Sequence, residues 1–228
     1  MLAGSSVSGR TLAIGDIHGC DVALEKLLRA LAIAPDDTVV VLGDAIDRGP
    51  GSKQVIDRLL KLSKECRLVF ILGNHEEMLL DALTDISVAA AWLQYGGTET
   101  MVSYGGDPEN IPPEHLAFFR AAVNYLETDN DLFVHANLEP GISLDRQQVE
   151  WLRWTHLTGY EVPHSSGKRI VCGHTPQKSG YPLAMPGWTC IDTYVCGNGW
   201  LTCLDVATND FCQANQVGNL RFGSLEMS

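Results

Sequence analysis

Short apolar runs alternate with amphipathic stretches from residue 11 onward. TLAIGD (11–16), TVVVLGD (38–44) and RLVFILGN (67–74) are apolar almost throughout, as strands buried on both faces are. Between the first two, CDVALEKLLRALAI (20–33) sets Leu24, Leu27, Leu28 and Leu31 on one helical stripe. SKQVIDRLLKLSKEC (52–66) is amphipathic in the same way, and EEMLLDAL opens a third helix. The alternation predicts a mostly parallel α/β sheet covered on both faces. Residues 86–126 read as mostly helical, with loops at 95–97 and 104–113, so that about 77–123 forms a helical, cap-like region. NYLET and DLFVHA, within 124–136, predict a hairpin across TDND. RIVCGHT (169–175), WTCIDTYV (188–195) and WLTCLDV (200–206) predict further strands, and beyond Asp210 the pattern predicts no element. No repeat or linker divides the chain, which reads as a single domain over residues 1–228.

Five of the apolar runs end in residues of metal-ligand type. The first closes on Gly15-Asp16-Ile17-His18, the second on Gly43-Asp44, the third on Gly73-Asn74-His75, and later ones on Val134-His135 and Gly173-His174. In open α/β sheets the loops beyond the carboxyl ends of the strands converge on the ligand site. Taken singly, an Asp after a strand is commonly a turn or helix cap, and a lone His a hydrogen-bonded structural residue. Five coincidences on one sheet edge are poorly explained by five unrelated turns. Mixed oxygen and imidazole donors suit manganese, iron or zinc, and the set divides into two divalent metal ions sharing one carboxylate.

The 228 residues carry 16 basic and 28 acidic side chains, a formal charge of −12. Binding to nucleic acid rests on clustered Lys and Arg, and no such run is present, so no nucleic-acid partner is expected. An anionic substrate would need local positive charge from arginines or metal, and two dications bring −12 only to −8. Seven scattered Cys without a CxxC pair fit neither a disulfide framework nor a zinc ribbon, and reduced thiols are expected. The start, MLAGSSVSGR, has no apolar stretch of signal-peptide length, and no segment approaches a membrane span. A cytoplasmic protein without a membrane partner is the expectation; the oligomeric state is not legible.

GDIHG (15–19), GDAIDRG (43–49), GNHE (73–76), HA (135–136) and GHT (173–175) together resemble the signature series of the phosphoprotein phosphatases, metal-dependent serine/threonine phosphatases. The likeness runs from residue 11 to about 206 and is greatest to the compact bacterial and bacteriophage lambda type, which GNHEEMLLDAL and WLR also resemble. It implies a calcineurin-like metallophosphoesterase sandwich, two packed β-sheets with helices outside. It further implies that Asp16, His18 and Asp44 hold a first metal, with manganese expected, and that Asp44 bridges to a second completed by Asn74, His135 and His174. By the same resemblance His75 is the general acid, oriented by Asp47, while Arg48 and Arg153 hold the substrate phosphate. One departure is IDTY (191–194), where relatives show IDTG.

Two metals about 3.5–4 Å apart lower the pKa of a water, neutralise phosphate and align in-line attack. His75, with an ordinary pKa near 6.5, suits proton donation to a departing alkoxide. The substrate that the resemblance implies is a phosphorylated protein or a small phosphomonoester. The alternative within the fold is a symmetrical bis(5'-nucleosyl)-tetraphosphatase, which GDIHGC and RGPGS fit but whose usual GDxxARG and GNHD differ from this chain at Asp47 and Glu76. A non-catalytic docking module is a third class, disfavoured by the intact ligand set. His115, His156 and His164 are expected to be exposed, and Trp151, Trp154, Trp188 and Trp200 to pack in the core or at a rim.

Overall fold

The computed structural model describes residues 9–226; the leader reading, which concerns residues 1–10, lies largely outside it. The first half holds β1 (Thr11–Ile14), α1 (Asp21–Leu31), β2 (Thr38–Val41), α2 (Ser52–Leu62), β3 (Arg67–Phe70) and α3 (Asn74–Ala82). Then come α4 (Ile86–Trp92), a π-helical turn at Leu93–Gly97, α5 (Thr98–Ser103) and α6 (Pro113–Arg120). The second half holds β4 (Tyr125–Glu127), β5 (Asp131–Val134), α7 (Val149–Arg153), β6 (Arg169–Cys172), β7 (Leu183–Met185), β8 (Trp188–Cys190) and β9 (Asp192–Thr193). β10 (Trp200–Asp205), β11 (Asp210–Ala214) and β12 (Leu220–Ser224) close the chain.

Two sheets form. One runs β12-β11-β10-β1-β2-β3 with β9 also on β10, and the other runs β4-β5-β6-β8-β7. The period-2 geometry of the strands explains the layering. Leu12, Ile14, Val39 and Val41 face the helices with Leu24, Leu27, Ile56 and Leu59. Their alternates Ala13 and Val40 face the second sheet, against Phe133, Val171 and Ile191. The outer face of the second sheet buries Leu132, Ile170 and Trp188 against Leu138 and Leu152.

The first sheet is covered on both faces as expected, by helices on one and by the second sheet on the other, which is the two-sheet sandwich the resemblance implied. β1, β2 and β3 are parallel as expected, but β10, β11 and β12 are antiparallel. The run 188–195 is two strands, because the chain passes from the second sheet to the first at Ile191. The third strand stops at Phe70, and Asn74 already belongs to α3, its entry fixed by Glu76 accepting the Gly73 N–H at 3.2 Å. The 124–136 hairpin forms as β4–β5. The tail, for which no element was predicted, is the β11–β12 hairpin. Among the described residues all seven cysteines are free. No described helix is long and apolar enough to cross a membrane.

Candidate metal centre

The loops after β1, β2, β3, β5 and β6 meet at one point, and Asp44 is its middle. One carboxylate oxygen, Oδ2, faces His18 Nε2 at 3.6 Å and His75 Nε2 at 3.9 Å. The other, Oδ1, faces His135 Nε2 at 3.4 Å. Two groups of donor atoms, each mutually within 4.8 Å, share this residue: His18–Asp44–His75 and Asp44–His135–His174. All these side chains are buried.

Close backbone approach makes the convergence possible. Gly43 has φ +94°, and a Cβ on Gly73 would lie 2.2 Å from Asp44 Oδ1. Glu76 ties the two loops together: its fully buried carboxylate accepts the N–H groups of Asp44 (2.9 Å), Ala45 (2.8 Å) and Ile46 (3.3 Å). His18, Asp44, Asp47, Arg48 and His174 all take positive φ, which non-glycine residues rarely do outside sites that the surroundings over-determine.

Each of the three ring systems proposed as ligands spends one nitrogen on a backbone carbonyl. His18 Nδ1 meets Ile46 O at 3.0 Å, His135 Nδ1 meets Leu42 O at 2.6 Å, and His174 Nε2 meets Trp154 O at 3.1 Å. A carbonyl only accepts, so each proton sits on that nitrogen and the other nitrogen keeps its lone pair. Arg48 Nη1, which can only donate, meets His18 Nε2 at 2.9 Å, which independently identifies that nitrogen as the bare one. Burial holds the pKa of all three rings below its ordinary value, that of His174 down to about 3. Around His135 Nε2 the Asn74 Oδ1 (3.1 Å) and Asp44 Oδ1 (3.4 Å) add further lone pairs. Neutral imidazoles and acceptor oxygens converging without a proton between them are a donor set that fits a cation.

His75 is built differently. Its Nδ1 meets Asp47 Oδ2 at 2.7 Å. Burial pushes this ring down, but Asp44 and Asp47 outweigh it and its pKa is raised. Asp47 is itself fixed: Trp92 Nε1 donates to Oδ2 at 2.9 Å and Thr100 Oγ1 to Oδ1 at 2.6 Å. Asp44 would be raised by burial, but the histidines around it, His135 first, hold it below the ordinary carboxylate range.

Asp16, His18, Asp44, Asn74, His75, His135, His174 and Asp47 therefore come together. Asp16 stands slightly apart, both oxygens accepting the His174 N–H at 3.1 Å. Arg48 is in the site, but Arg153 is engaged elsewhere, paired with Glu77 and bonded to Asn124 Oδ1 at 2.6 Å. Trp92, Thr100 and the tethering role of Glu76 escaped sequence reasoning. Trp92 sits at helical spacing, where a core reading suffices, and only the folded chain brings it to Asp47. His115, expected outside, is fully buried between Tyr104 Oη (2.7 Å) and Asp57 Oδ1 (3.1 Å). His156 is exposed and His164 half-buried. Tyr194, the departure from IDTG, takes φ 64°, the left-handed region that explains glycine there in relatives.

Comparison with known proteins agrees with this geometry. Residues 9–183 match the family of calcineurin-like phosphoesterases. The symmetrical bis(5'-nucleosyl)-tetraphosphatase of Acidovorax ebreus is 37% identical over 112 residues, 41% of this chain and 39% of that protein. That of Methylobacillus flagellatus is 34% identical over 146 residues, 61% of this chain and 49% of its own. Serine/threonine-protein phosphatase 1 of Salmonella typhimurium is 44% identical over 85 residues, 37% of each chain. The matches span less than half the length of each of these relatives. A solved structure provisionally described as a diadenosine tetraphosphatase superposes with a TM-score of 0.68 at 23% identity, covering 96% of this chain and 95% of the other. A cold-active protein tyrosine phosphatase gives 0.66 at 18%, covering 94% and 78%, and these two likenesses concern the fold alone. With the two-sheet architecture and the shared Asp44 in place, the chain belongs to the calcineurin-like phosphoesterases.

Proposed function

We propose that this chain hydrolyses symmetrical dinucleoside tetraphosphates at a two-metal centre. The two-metal part of the reading is carried by Asp44 turning one carboxylate oxygen to His18 and the other to His135, so that it can serve two cations. The substrate class follows the relatives, most of which are named symmetrical tetraphosphatases. That reverses the order expected from the motifs, which placed phosphoproteins first.

Asp16, His18 and Asp44 would hold one metal, and Asp44, Asn74, His135 and His174 the other. Such a pair, when bound, supplies an activated water and positive charge for the phosphate. The rest falls to the chain. Arg48 offers a planar set of donors beside His18, suited to phosphate oxygens. Asp47 accepts the His75 Nδ1–H, and with Asp44 it favours the doubly protonated ring, whose Nε2–H can supply the proton a departing oxygen needs. Arg153, already neutralised by Glu77, is a weaker clamp.

One observation favours a second reading, a protein or small-molecule phosphomonoesterase. The buried Asp47–His75 pair suits an alkoxide that leaves poorly, whereas a nucleoside diphosphate leaves with little help. The test is kcat/KM for diadenosine tetraphosphate, a phosphoserine peptide and p-nitrophenyl phosphate after chelation and manganese addition. The proposed function requires ADP as the sole nucleotide product and the highest value for the tetraphosphate. A higher value for the phosphopeptide moves the assignment to the second reading. Inertness toward all three removes both.

A further inference from the structure

A cavity of about 390 Å³ lies beside the metal centre, walled by residues 137–141 and 160–165, by Thr155, His156 and Thr158, and by Trp151, Ile170 and Trp188. Small-molecule sites occupy ~300–1,000 Å³ and are mostly apolar with a few placed polar groups. This one is separated from the centre by a single ring. His156 lines the cavity and stacks on His174, with ring centroids 4.3 Å apart and planes at 18°.

Residues 151–156 form the common wall. Trp151 and His156 face the cavity, while the Trp154 carbonyl takes the His174 proton and Arg153 meets Glu77 on α3. A molecule reaching from the metals into the cavity would therefore pass along one short segment.

The lining defines the chemistry of the occupant. It contains no Lys or Arg, so it offers nothing to a phosphate, and its carboxylates Glu139 and Glu161 repel anions. Glu161 is already taken up by Thr158 N and Oγ1 and by Gly159 N, at 2.5, 3.0 and 3.0 Å. Glu139 is bonded through its backbone to Gln147, which leaves its carboxylate to accept from a ligand. Tyr160, 90% exposed, presents a ring at the rim. Flat rings beside one accepting carboxylate match an uncharged heteroaromatic ring with an exocyclic amine.

We propose that this cavity is the nucleobase subsite of a nucleotide substrate whose reacting phosphate sits at the metal centre, with Glu139 accepting from the base amine. The inference rests on the nucleotide reading above, and binding separates the two. The probe is adenosine, which has no phosphate, added to metal-free protein and followed by saturation-transfer NMR and tryptophan fluorescence. L-argininamide serves as the cationic competitor.

Adenosine should bind without metal; Tyr160→Ala should weaken it about tenfold, within the span of base stacking, and Glu139→Ala about tenfold through the lost hydrogen bond to a charged group. In metal-loaded Tyr160→Ala, kcat/KM for diadenosine tetraphosphate should fall about tenfold, while p-nitrophenyl phosphate, which has no base to place, is turned over as before. Absence of adenosine binding overturns the subsite even if the tetraphosphate is hydrolysed. So does argininamide binding in its place, or equal losses on both substrates. Adenosine binding that the variants weaken, in a protein inert toward the tetraphosphate, supports the subsite and removes only the proposed activity.

Discussion

The two edges of the same pair of sheets handle charge in opposite ways. At the amino edge, Arg10 before β1 grips Asp37 before β2 through Nη2–Oδ2 at 2.5 Å and Nε–Oδ1 at 3.2 Å. Arg169, opening β6, meets Asp131, opening β5, at 2.7 Å. The Arg10 hydrogen bond holds Asp37 down to about 2. At the carboxyl edge, Asp16, Asp44, Glu76 and Asp192 are buried, and no Lys or Arg pairs with any of them among the described residues. Burial pushes Glu76 up to about 8 and Asp192 to about 7, and the positive-φ residues gather there as well. Stability alone would not select such an edge. It is held by the tight packing around it, and its negative charge is balanced when cations bind.

Removing the shared carboxylate should have the largest effect. Asp44→Asn should abolish turnover and lower metal content at both positions, because both donor groups contain it. Elemental analysis with two metals retained would break the comparison, since the carboxyl edge would then not depend on that charge. His75→Asn comes next. Loss of a positioned acid costs ~10²–10⁴-fold, and this loss should fall on alkyl phosphates far more than on p-nitrophenyl phosphate, with metal content unchanged.

The carboxyl edge was largely legible in the sequence because each ligand-type residue follows an apolar run and most sit beside a glycine. Asp16, Asp44, Asn74 and His174 declare themselves by that position. The sheets were less legible. β12 is an edge strand whose burial alternates only between exposed and half-buried, so Leu220–Ser224 has no apolar face to detect. The continuous run 188–195 hides a change of sheet at Ile191, since both halves are buried. Trp92 and Thr100 were invisible as site residues because their contacts with Asp47 span 45 and 53 positions.

The pH dependence of metal-free stability should show the two edges directly. Asp37 has a folded pKa of about 2, below its ordinary value, so its contribution is present above about pH 4 and lost as pH falls toward 2. Asp192 has a folded pKa of about 7, above its ordinary value, so the folded state keeps its proton longer. The Asp192 contribution therefore declines as pH rises from about 4 to about 7, while the three depressed rings, His174 above all, add stability over the same interval. In urea titrations Asp37→Asn should remove the acid-side loss, up to about 2 kcal/mol before screening at the 39%-exposed Arg10. Asp192→Asn should flatten the decline, by a few kcal/mol at most. An Asp192→Asn variant whose stability follows the same pH course as the chelated wild type between pH 4 and 7 would show that Asp192 is not under electrostatic load.

The smallest effect concerns how finely that edge is positioned. Trp92 donates to the same Asp47 oxygen that holds His75, while Thr100 holds the other oxygen. Trp92→Phe keeps an aromatic ring beside Gly97 and deletes only the donor. A hydrogen bond to a charged group contributes ~1.5–3 kcal/mol, and with Thr100 still in place the lower end applies, about tenfold. If Trp92 acts through Asp47 on His75, the loss should appear as a lower ratio of alkyl to p-nitrophenyl phosphate turnover, because only the alkoxide needs the proton. If it merely packs, both substrates should lose alike and the melting temperature should fall. Measuring both ratios with metal content held at two decides between them. Equal losses in a fully metallated variant would place the precision of the carboxyl edge in the β1–β3 loops alone, with no share from the helical segment.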